Sequence, residues 1–308
     1  MELPLVSIGI PTYNRPEGLR KLLDSMLNQS YKNIELIVSD NATPGNVVDD
    51  LVNEYRNKDP RVKFFKQPVN IGALPNFSFV LEQATGKYFM WAADDDDFSP
   101  ITIERSVNGF LQNSTAVLSS LQCNIIDLRD NAVAQPKFLP DTIGCTNKIK
   151  FRKVIDYTFN EINVFFYSLM ELEALKKCRS YTAQVFGADV FLVIELLEFG
   201  DLYIDSSAIG LTSYLHPQQA SVSMESYIKV MSRNSSFWDR NLFFTKYLFH
   251  YFKYISRTKK LGFLEKAGLY FYVFKKWISS KKYHLVKYDL RLHKPIQWLK
   301  QSFKRKGK

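Results

Sequence analysis

The feature that most narrows what this chain can fold into is an alternation. In the first hundred residues, short apolar runs of strand length take turns with segments whose apolar residues recur at helical spacing. Val6-Ser7-Ile8-Gly9-Ile10 reads as a buried strand ending at Pro11. Pro16 suits a first helical turn, and Leu19, Leu22, Leu23, Met26 and Leu27 then mark one apolar face. Ile34 to Val38 is a second strand, stopping at Ser39-Asp40-Asn41, and Val47, Val48, Leu51, Val52 and Tyr55 mark the next helix. Val62 to Phe65 is a third strand, Asn76 to Gln83 a short helix, and Lys87 to Trp91 a fourth strand that runs into Asp94-Asp95-Asp96-Asp97. Such spacing predicts right-handed βαβ units, hence an α/β fold with a mainly parallel, twisted sheet flanked by helices. Ligands of these sheets bind beyond the carboxyl ends of the strands. Pro11 to Arg15, Asp40-Asn41 and the aspartate run all sit at such ends, so they are expected to share one crevice.

Beyond Pro100 the pattern loosens. A helix over Ile101 to Asn113, a strand over Ala116 to Asp127, a helix over Ala188 to Phe199 and strands over Leu202 to Leu215 are expected. From about Tyr227 the chain turns helical, basic and aromatic, which divides it into a domain over 1–225, with halves 1–100 and 101–225, and a region over 226–308. Charge follows the same division. Residues 231–308 hold 20 Lys and Arg against three acids, a net +17 in a chain of formal charge +10, which leaves −7 on residues 1–230. The three cysteines, Cys123, Cys145 and Cys178, are odd in number and form no CxxC pair, which points to buried thiols in a reducing setting. The Met1-Glu2-Leu3-Pro4-Leu5 start lacks a basic region and enters a strand, so no secretory leader is expected. No apolar stretch reaches the roughly 18 residues of a spanning helix.

Four consecutive aspartates after a hydrophobic strand would repel one another unless a cation compensates, and hard divalent cations prefer oxygen ligands. A solvated acidic turn is the plainer account. The flanks shift the balance, since Gly86-Lys87-Tyr88-Phe89-Met90-Trp91 leads into the run and Pro100 closes it.

These blocks together resemble the family 2 glycosyltransferases, enzymes of the GT-A fold. The resemblance rests on Val6 to Arg15, on Ile37 to Ala42, on Asn70-Ile71-Gly72, and on Ala84 to Tyr88 running through Asp94-Asp95-Asp96, in the family's order over about 100 residues. It implies that Pro11, Thr12, Tyr13 and Asn14 line a nucleotide pocket, with Arg15 near the phosphates and Asn41, Asn70 and Gly72 in the same pocket. It implies that Asp40 accepts from a base ring N–H, favouring a uracil or thymine base, and that Asp94 holds the ribose hydroxyls. Asp95 would bind Mg²⁺ or Mn²⁺ on the donor diphosphate, supported by Asp96, a DXD-type metal motif. Ala93 departs from the pattern, standing where many members carry the motif's first acid, which leaves Asp94, Asp95 and Asp96 as alternatives for the direct ligand. Phe186-Gly187-Ala188-Asp189-Val190 resembles the later block whose acid deprotonates the acceptor hydroxyl, which makes Asp189 the implied catalytic base. An Asp there also suits a helix N-cap. Glu171, Glu173 and Glu195 are weaker candidates. His216 resembles a late histidine that contacts the diphosphate or completes the metal shell, although a loop histidine reads equally well. His250, His284 and His293 show no ligand spacing.

The implied reaction is inverting, metal-dependent transfer of a sugar from a UDP- or dTDP-linked donor to a lipid-linked or cell-surface glycan acceptor. A sugar nucleotidyltransferase would carry a Gly-rich loop after the first strand, which Pro11-Thr12-Tyr13-Asn14-Arg15 lacks. A non-catalytic binding protein would have no need of acids at 40, 94, 95 and 189 together. In the basic end, Phe243-Phe244, Tyr247-Leu248-Phe249, Tyr251-Phe252 and Leu269 to Phe274 alternate with lysines, which suits an anionic membrane surface. Packing on the first domain is the alternative, and nucleic acid is not the expected partner. The family analogy implies a cytoplasmic protein peripheral on the inner face of the cell membrane. The sequence leaves its oligomeric state open.

Overall fold

The computed structural model describes residues 3–128, 132–134, 141–160, 164–179, 188–215 and 243–279. Contacts divide the chain into two compact units, Met1–His216 and Pro217–Lys308. The first is built on one sheet. Strands β1 (Val6–Thr12), β2 (Ile34–Asp40), β3 (Val62–Lys66) and β4 (Tyr88–Trp91) lie in the order β3-β2-β1-β4, and every pair among them is parallel. Helices α1 (Pro16–Leu27), α2 (Val47–Lys58) and α3 (Ala73–Glu82) connect them, as the alternation predicts. All seven residues of both β1 and β2 are buried, the mark of central strands covered on both faces. The strand order reverses beside β1, because β2 and β3 extend to one side and β4 returns to the other. That is the switch point where α/β sheets bind ligands.

The first strand runs two residues further than its sequence suggests, through Pro11 to Thr12. Val6 donates its N–H to the Asn33 carbonyl on the β2 side. Alternation then aims the position-11 nitrogen at the β4 side, where β4 has already ended opposite Gly9. A proline costs no ladder hydrogen bond there.

The second half of the sheet departs from a simple parallel array. β8 (Leu169–Glu171) lies antiparallel between β4 and β6 (Ala116–Asp127), and β6 pairs in parallel with β9 (Asp201–Leu215). β7 (Ala132–Ala134) and β5 (Asp97–Phe98) pair antiparallel with β6 and β9. The parallel ladders still carry most of the paired residues. Around them lie α4 (Thr102–Gln112), α5 (Asn147–Asn160), a 3-10 turn (Val164–Tyr167), α6 (Leu172–Lys177) and α7 (Ala188–Leu196). Short as it is, β5 anchors the acidic turn. That turn is strung between β4, inside the parallel half, and β5, clipped to β9 at Thr212 and Leu211, so both of its ends are fixed.

At the amino ends of the strands, a buried carboxylate locks the other edge of the layer. Glu35 on β2 accepts from the Ser7 hydroxyl on β1, from the Thr85 N–H and hydroxyl (both 2.9 Å) before β4, and from Lys63 on β3. Burial opposes the Glu35 charge, but the bonds from Lys63, Ser7 and Thr85 outweigh it and hold its pKa below the ordinary carboxylate value.

In the second unit, α8 (Phe243–Arg257) and α9 (Phe263–Ser279) pack on each other. Leu248, Tyr251 and Ile255 are buried on α8, and Leu269, Val273 and Trp277 on α9. Phe252 meets Tyr270 edge-on, ring centroids 5.3 Å apart. Glu265 accepts from the Gly262 N–H at 2.9 Å and so satisfies an orphan donor at the start of α9. No helix among the described residues is long and apolar enough to cross a membrane.

Candidate functional site

The carboxyl ends of β1, β2 and β4 do converge. Thr12, the last residue of β1, donates its hydroxyl to Asp94 Oδ2 at 2.7 Å. Arg15, next to the start of α1, reaches Asp94 Oδ1 at 3.0 Å and Asp95 Oδ2 at 2.7 Å through one guanidinium nitrogen. Asn14 between them takes the left-handed conformation (φ 56°), which asparagine tolerates and which turns the chain sharply out of the strand. Its N–H donates to Thr43 Oγ1 at 2.8 Å, tying the β1 loop to the β2 loop.

Asp40 ends β2, fully buried. Its carboxylate accepts from the Thr43 N–H at 3.2 Å and from the Thr43 hydroxyl at 2.5 Å, closing a tight turn over residues 40–43. Ala42 in that turn is left-handed as well (φ 62°). These are the non-glycine residues with positive φ among those described, and both sit at the ends of central strands, where functional sites store backbone strain. Asn41 binds the β3–α3 loop, donating to Asn70 Oδ1 at 3.2 Å and accepting from the Ile71 N–H at 2.9 Å. Gly72 caps α3 at φ 92°, a conformation that requires glycine. Of the nucleotide-pocket residues implied by the sequence, Pro11, Thr12, Asp40 and Asn41 are buried, whereas Tyr13, Asn14 and Arg15 are exposed.

The acidic turn is electrostatically uneven. Burial raises the Asp94 carboxyl, against the Thr12 hydrogen bond and the Arg15 charge. Asp96 is pushed up to about 7, first by burial and then by the Asp95 charge, although the Tyr214 N–H reaches it at 3.4 Å. The Tyr214 hydroxyl donates to Asp97 Oδ2 at 2.5 Å. Asp95 has the intermediate exposure needed to meet a ligand, and Arg15 already lies on it.

Two further residues belong to this site without having been legible in sequence. Tyr167 ends the 3-10 turn, which packs against both β4 and α7. Burial, then the charges of Asp96, Asp95, Asp189 and Asp94, push its phenol far above the ordinary range, so it stays a neutral O–H donor. Asp189 stands in the first turn of α7, the helix that packs on this 3-10 turn, and its charge adds to those of the acidic turn in raising Tyr167. Gly18, in the first turns of α1, is the other. A Cβ there would stand 2.1 Å from the Asp94 carbonyl oxygen, so α1 lies directly against the backbone of the acidic turn. An isolated glycine in a helical pattern was the available signal for Gly18. Tyr167 carried none.

Glu171 pairs with Tyr88 at the opening of β4, the end opposite the acidic turn. Glu173 lies in the first turn of α6, directly after β8. Glu195 accepts from the Arg179 N–H at 2.8 Å. Cys123 and Cys178 are buried, and burial raises the Cys123 thiol to about 12, whereas Cys145, against expectation, is half-buried in the turn before α5 and accepts from Lys153 at 3.3 Å. His216, His284, His293 and the Phe186-Gly187 pair before Asp189 lie outside the described residues.

Whether these residues suit a divalent cation can be judged from their donors. Among the described residues no group of three or more His, Cys, Asp or Glu gathers around one point, so these residues form no closed cage. What they offer is hard carboxylate oxygen at Asp95, beside Asp94 and Asp96 and in contact with a cationic side chain. Mg²⁺ and similar ions are commonly held by one or two carboxylates plus substrate phosphates. The donor set fits an ion shared with a bound diphosphate.

Comparison with known proteins gives this geometry a setting. The model of the family described as "Glycosyl transferase family 2" matches residues 7–178. An uncharacterized glycosyltransferase of Haemophilus influenzae is 38% identical over 113 residues, 37% of this chain and 45% of that protein. A GalNAc(5)-diNAcBac-PP-undecaprenol beta-1,3-glucosyltransferase of Campylobacter jejuni is 35% identical over 96 residues, 31% of each. The chain therefore spans less than half the length of these relatives in the matched stretch. Among solved structures, S. aureus TarS in complex with UDP-GlcNAc aligns at TM-score 0.66 and 15% identity over 96% of this chain and 78% of that one. A mannosyltransferase from Pyrobaculum calidifontis, in complex with GDP-Man and Mn²⁺, aligns at TM-score 0.54 and 13% identity, covering 94% and 74%. These two share the fold.

Proposed function

The chain belongs to glycosyl transferase family 2, and on that premise we propose that it moves a sugar from a UDP- or dTDP-linked donor to a hydroxyl of a lipid-linked or cell-surface glycan precursor, inverting the anomeric carbon. The observation that carries this reading is the convergence at the strand ends, where Thr12 and Arg15 from the end of β1 hold Asp94 and Asp95 from the end of β4, while α7, whose first turn carries Asp189, packs on the 3-10 turn that packs on β4. The acids after β4 suit a departing diphosphate, and Asp189 suits an incoming hydroxyl.

In this reading the nucleotide lies over the ends of β1 and β2. Thr12 and Arg15 hold Asp94 for the ribose hydroxyls, and the Asn41–Asn70 bond shapes the wall on the β3 side. Thr43 fixes the fully buried Asp40 carboxylate, and a base N–H would reach it on opening of the 40–43 turn. Asp95, with Asp96 beside it, would hold Mg²⁺ or Mn²⁺, which when bound neutralises charge on the diphosphate. Arg15 then turns from the carboxylates to the phosphate oxygens. Asp189 accepts the acceptor hydroxyl's proton as that oxygen bonds to the anomeric carbon, and the bond from that carbon to the phosphate oxygen breaks with its electron pair leaving on the diphosphate. Tyr167, held neutral, donates a hydrogen bond where the two reactants meet. The Campylobacter relative's substrate name supports a lipid-linked acceptor, and the complexes of TarS and the mannosyltransferase support a nucleotide donor and a divalent ion. A position at the inner face of the cell membrane accords with such an acceptor.

Calorimetric titration of UDP, dTDP and GDP, each with Mn²⁺ and with EDTA, tests the donor site. The expected result is metal-dependent binding of a uridine or thymidine diphosphate, lost in Asp95→Ala. Binding of none of the three refutes the proposal.

A further inference from the structure

Helix α9 has two apolar faces, and packing accounts for one of them. Leu269, Val273 and Trp277, spaced by four, form the buried stripe. Phe263, Leu264, Ala267, Phe271, Phe274 and Ile278 are exposed, the two phenylalanines at 263 and 271 to 85% and 72% and Leu264 to 81%. At about 100° per residue these six positions fall within a stripe about 100° wide, centred about 130° around the helix from the buried one. Scattered exposed apolar residues are ordinary, but six aligned along four turns of one helix form a contiguous patch that marks an interaction surface.

We propose that this outer face of α9 is a membrane-docking surface, which lies in the plane of an anionic bilayer with its aromatic rings among the acyl chains. Charge selects the occupant. Residues 243–279 carry eight Lys and Arg against a single acid, Glu265, and residues 280–308 add ten more against Asp289. A second copy of the chain would set like charge against like, whereas an anionic lipid surface complements it, at about 1 kcal/mol per basic residue near the surface. A nucleic acid would answer the charge but has no use for a phenylalanine stripe on the same helix. The geometry fits a helix lying on the membrane: α9 has 17 residues, is not apolar enough to cross, and is amphipathic through its second face. Its sense in the cell rests on the proposed lipid-linked acceptor, because docking would hold the enzyme where that acceptor lies.

The test is flotation of the full chain with vesicles of phosphatidylglycerol and phosphatidylcholine, and with phosphatidylcholine alone, for wild type, Phe271→Ser, Phe274→Ser and the double variant. The Phe271 ring is 72% exposed, so thermal unfolding of Phe271→Ser should be unchanged, whereas Phe274 also stacks on Trp277 (centroids 6.5 Å apart) and its loss should lower the midpoint slightly; that measurement accompanies each variant. Wild type is expected to float with the anionic vesicles, and each substitution to weaken partitioning on the order of tenfold, from the transfer free energy of the ring. Flotation indifferent to the double variant would overturn the proposal. So would absence of flotation, or variants that dissociate a dimer or a nucleic-acid complex while vesicle binding stays intact. The assay contains neither donor nor acceptor, so its failure is distinguishable from failure of the glycosyltransferase reading.

Discussion

Replacing Gly18 with alanine sets two well-defined effects against each other. Gly18 lies within α1, and in an unobstructed helix the change to alanine stabilises by about 1 kcal/mol. Here the new Cβ would sit 2.1 Å from the Asp94 carbonyl oxygen and 3.2 Å from its carbonyl carbon, and neither atom belongs to a flexible side chain. Restoring ordinary contact requires α1 and the acidic turn to part by about 1 Å, and overpacking of that kind costs about 1–3 kcal/mol. The two terms nearly cancel in stability, leaving a net loss of about 0–2 kcal/mol. They do not cancel in function. The turn is pinned at β4 and at the β5–β9 ladder, so a shift at Asp94 is absorbed locally, in the carboxylates of Asp94 and Asp95 that Arg15 and Thr12 hold. A misplacement of about 1 Å at a catalytic constellation costs about 10²-fold in rate. Urea denaturation alongside steady-state kinetics and nucleotide titration would therefore show a small change in midpoint with a large loss of kcat/KM. A Gly18→Ala protein stabilised by about 1 kcal/mol with normal nucleotide affinity would refute the claim that this glycine exists for the acidic turn.

Three further outcomes are expected from the same geometry. Asp189→Asn should lower kcat by about 10²–10⁴-fold while leaving nucleoside diphosphate affinity intact, because the proton acceptor is lost and the donor site is not; weakened nucleotide binding would reassign the residue. Tyr167→Phe should lower kcat by about tenfold or more with little change in stability, since it removes one hydrogen-bond donor and keeps the ring; a kcat equal to wild type would remove Tyr167 from the mechanism. Glu35→Gln should cost about 2 kcal/mol at neutral pH, mostly from its charged hydrogen bonds with Ser7 and Thr85, since the half-exposed Lys63 adds little. Because the folded pKa of Glu35 lies below its ordinary 4.5, its stabilisation is complete above that value and is lost as pH falls through the lower folded one. Urea midpoints measured from pH 7 to 3 should thus fall less steeply in the variant, and parallel curves would count against the assignment.

The sequence by itself determined the parallel half of the sheet and the convergence at its carboxyl ends. Both are written locally: Val6 to Ile10 and Ile34 to Val38 are continuous apolar runs because both faces are covered, and Pro16 and Asp40 punctuate them whatever lies elsewhere in the chain. Parallel βαβ units bring the carboxyl ends of their strands to one edge of the sheet, and with them residues 11–15, 40–41 and 94–96, whereas the order β3-β2-β1-β4 with its reversal beside β1 came with the tertiary structure. The antiparallel insertion of β8 and the clip of β5 onto β9 came only with the tertiary structure, since strands of three and two residues are too short to show a period and take their pairing from distant partners. The same holds for Tyr167, whose meaning comes from four acids on two other elements, and for Gly18, whose missing side chain is explained by a backbone oxygen beyond three intervening strands of the chain. In the basic region the sequence supplied the aromatic and cationic content of α9. Which of its two apolar faces is buried, and which is left to meet a partner, was decided by the packing of α8, because the helical period alone permits either.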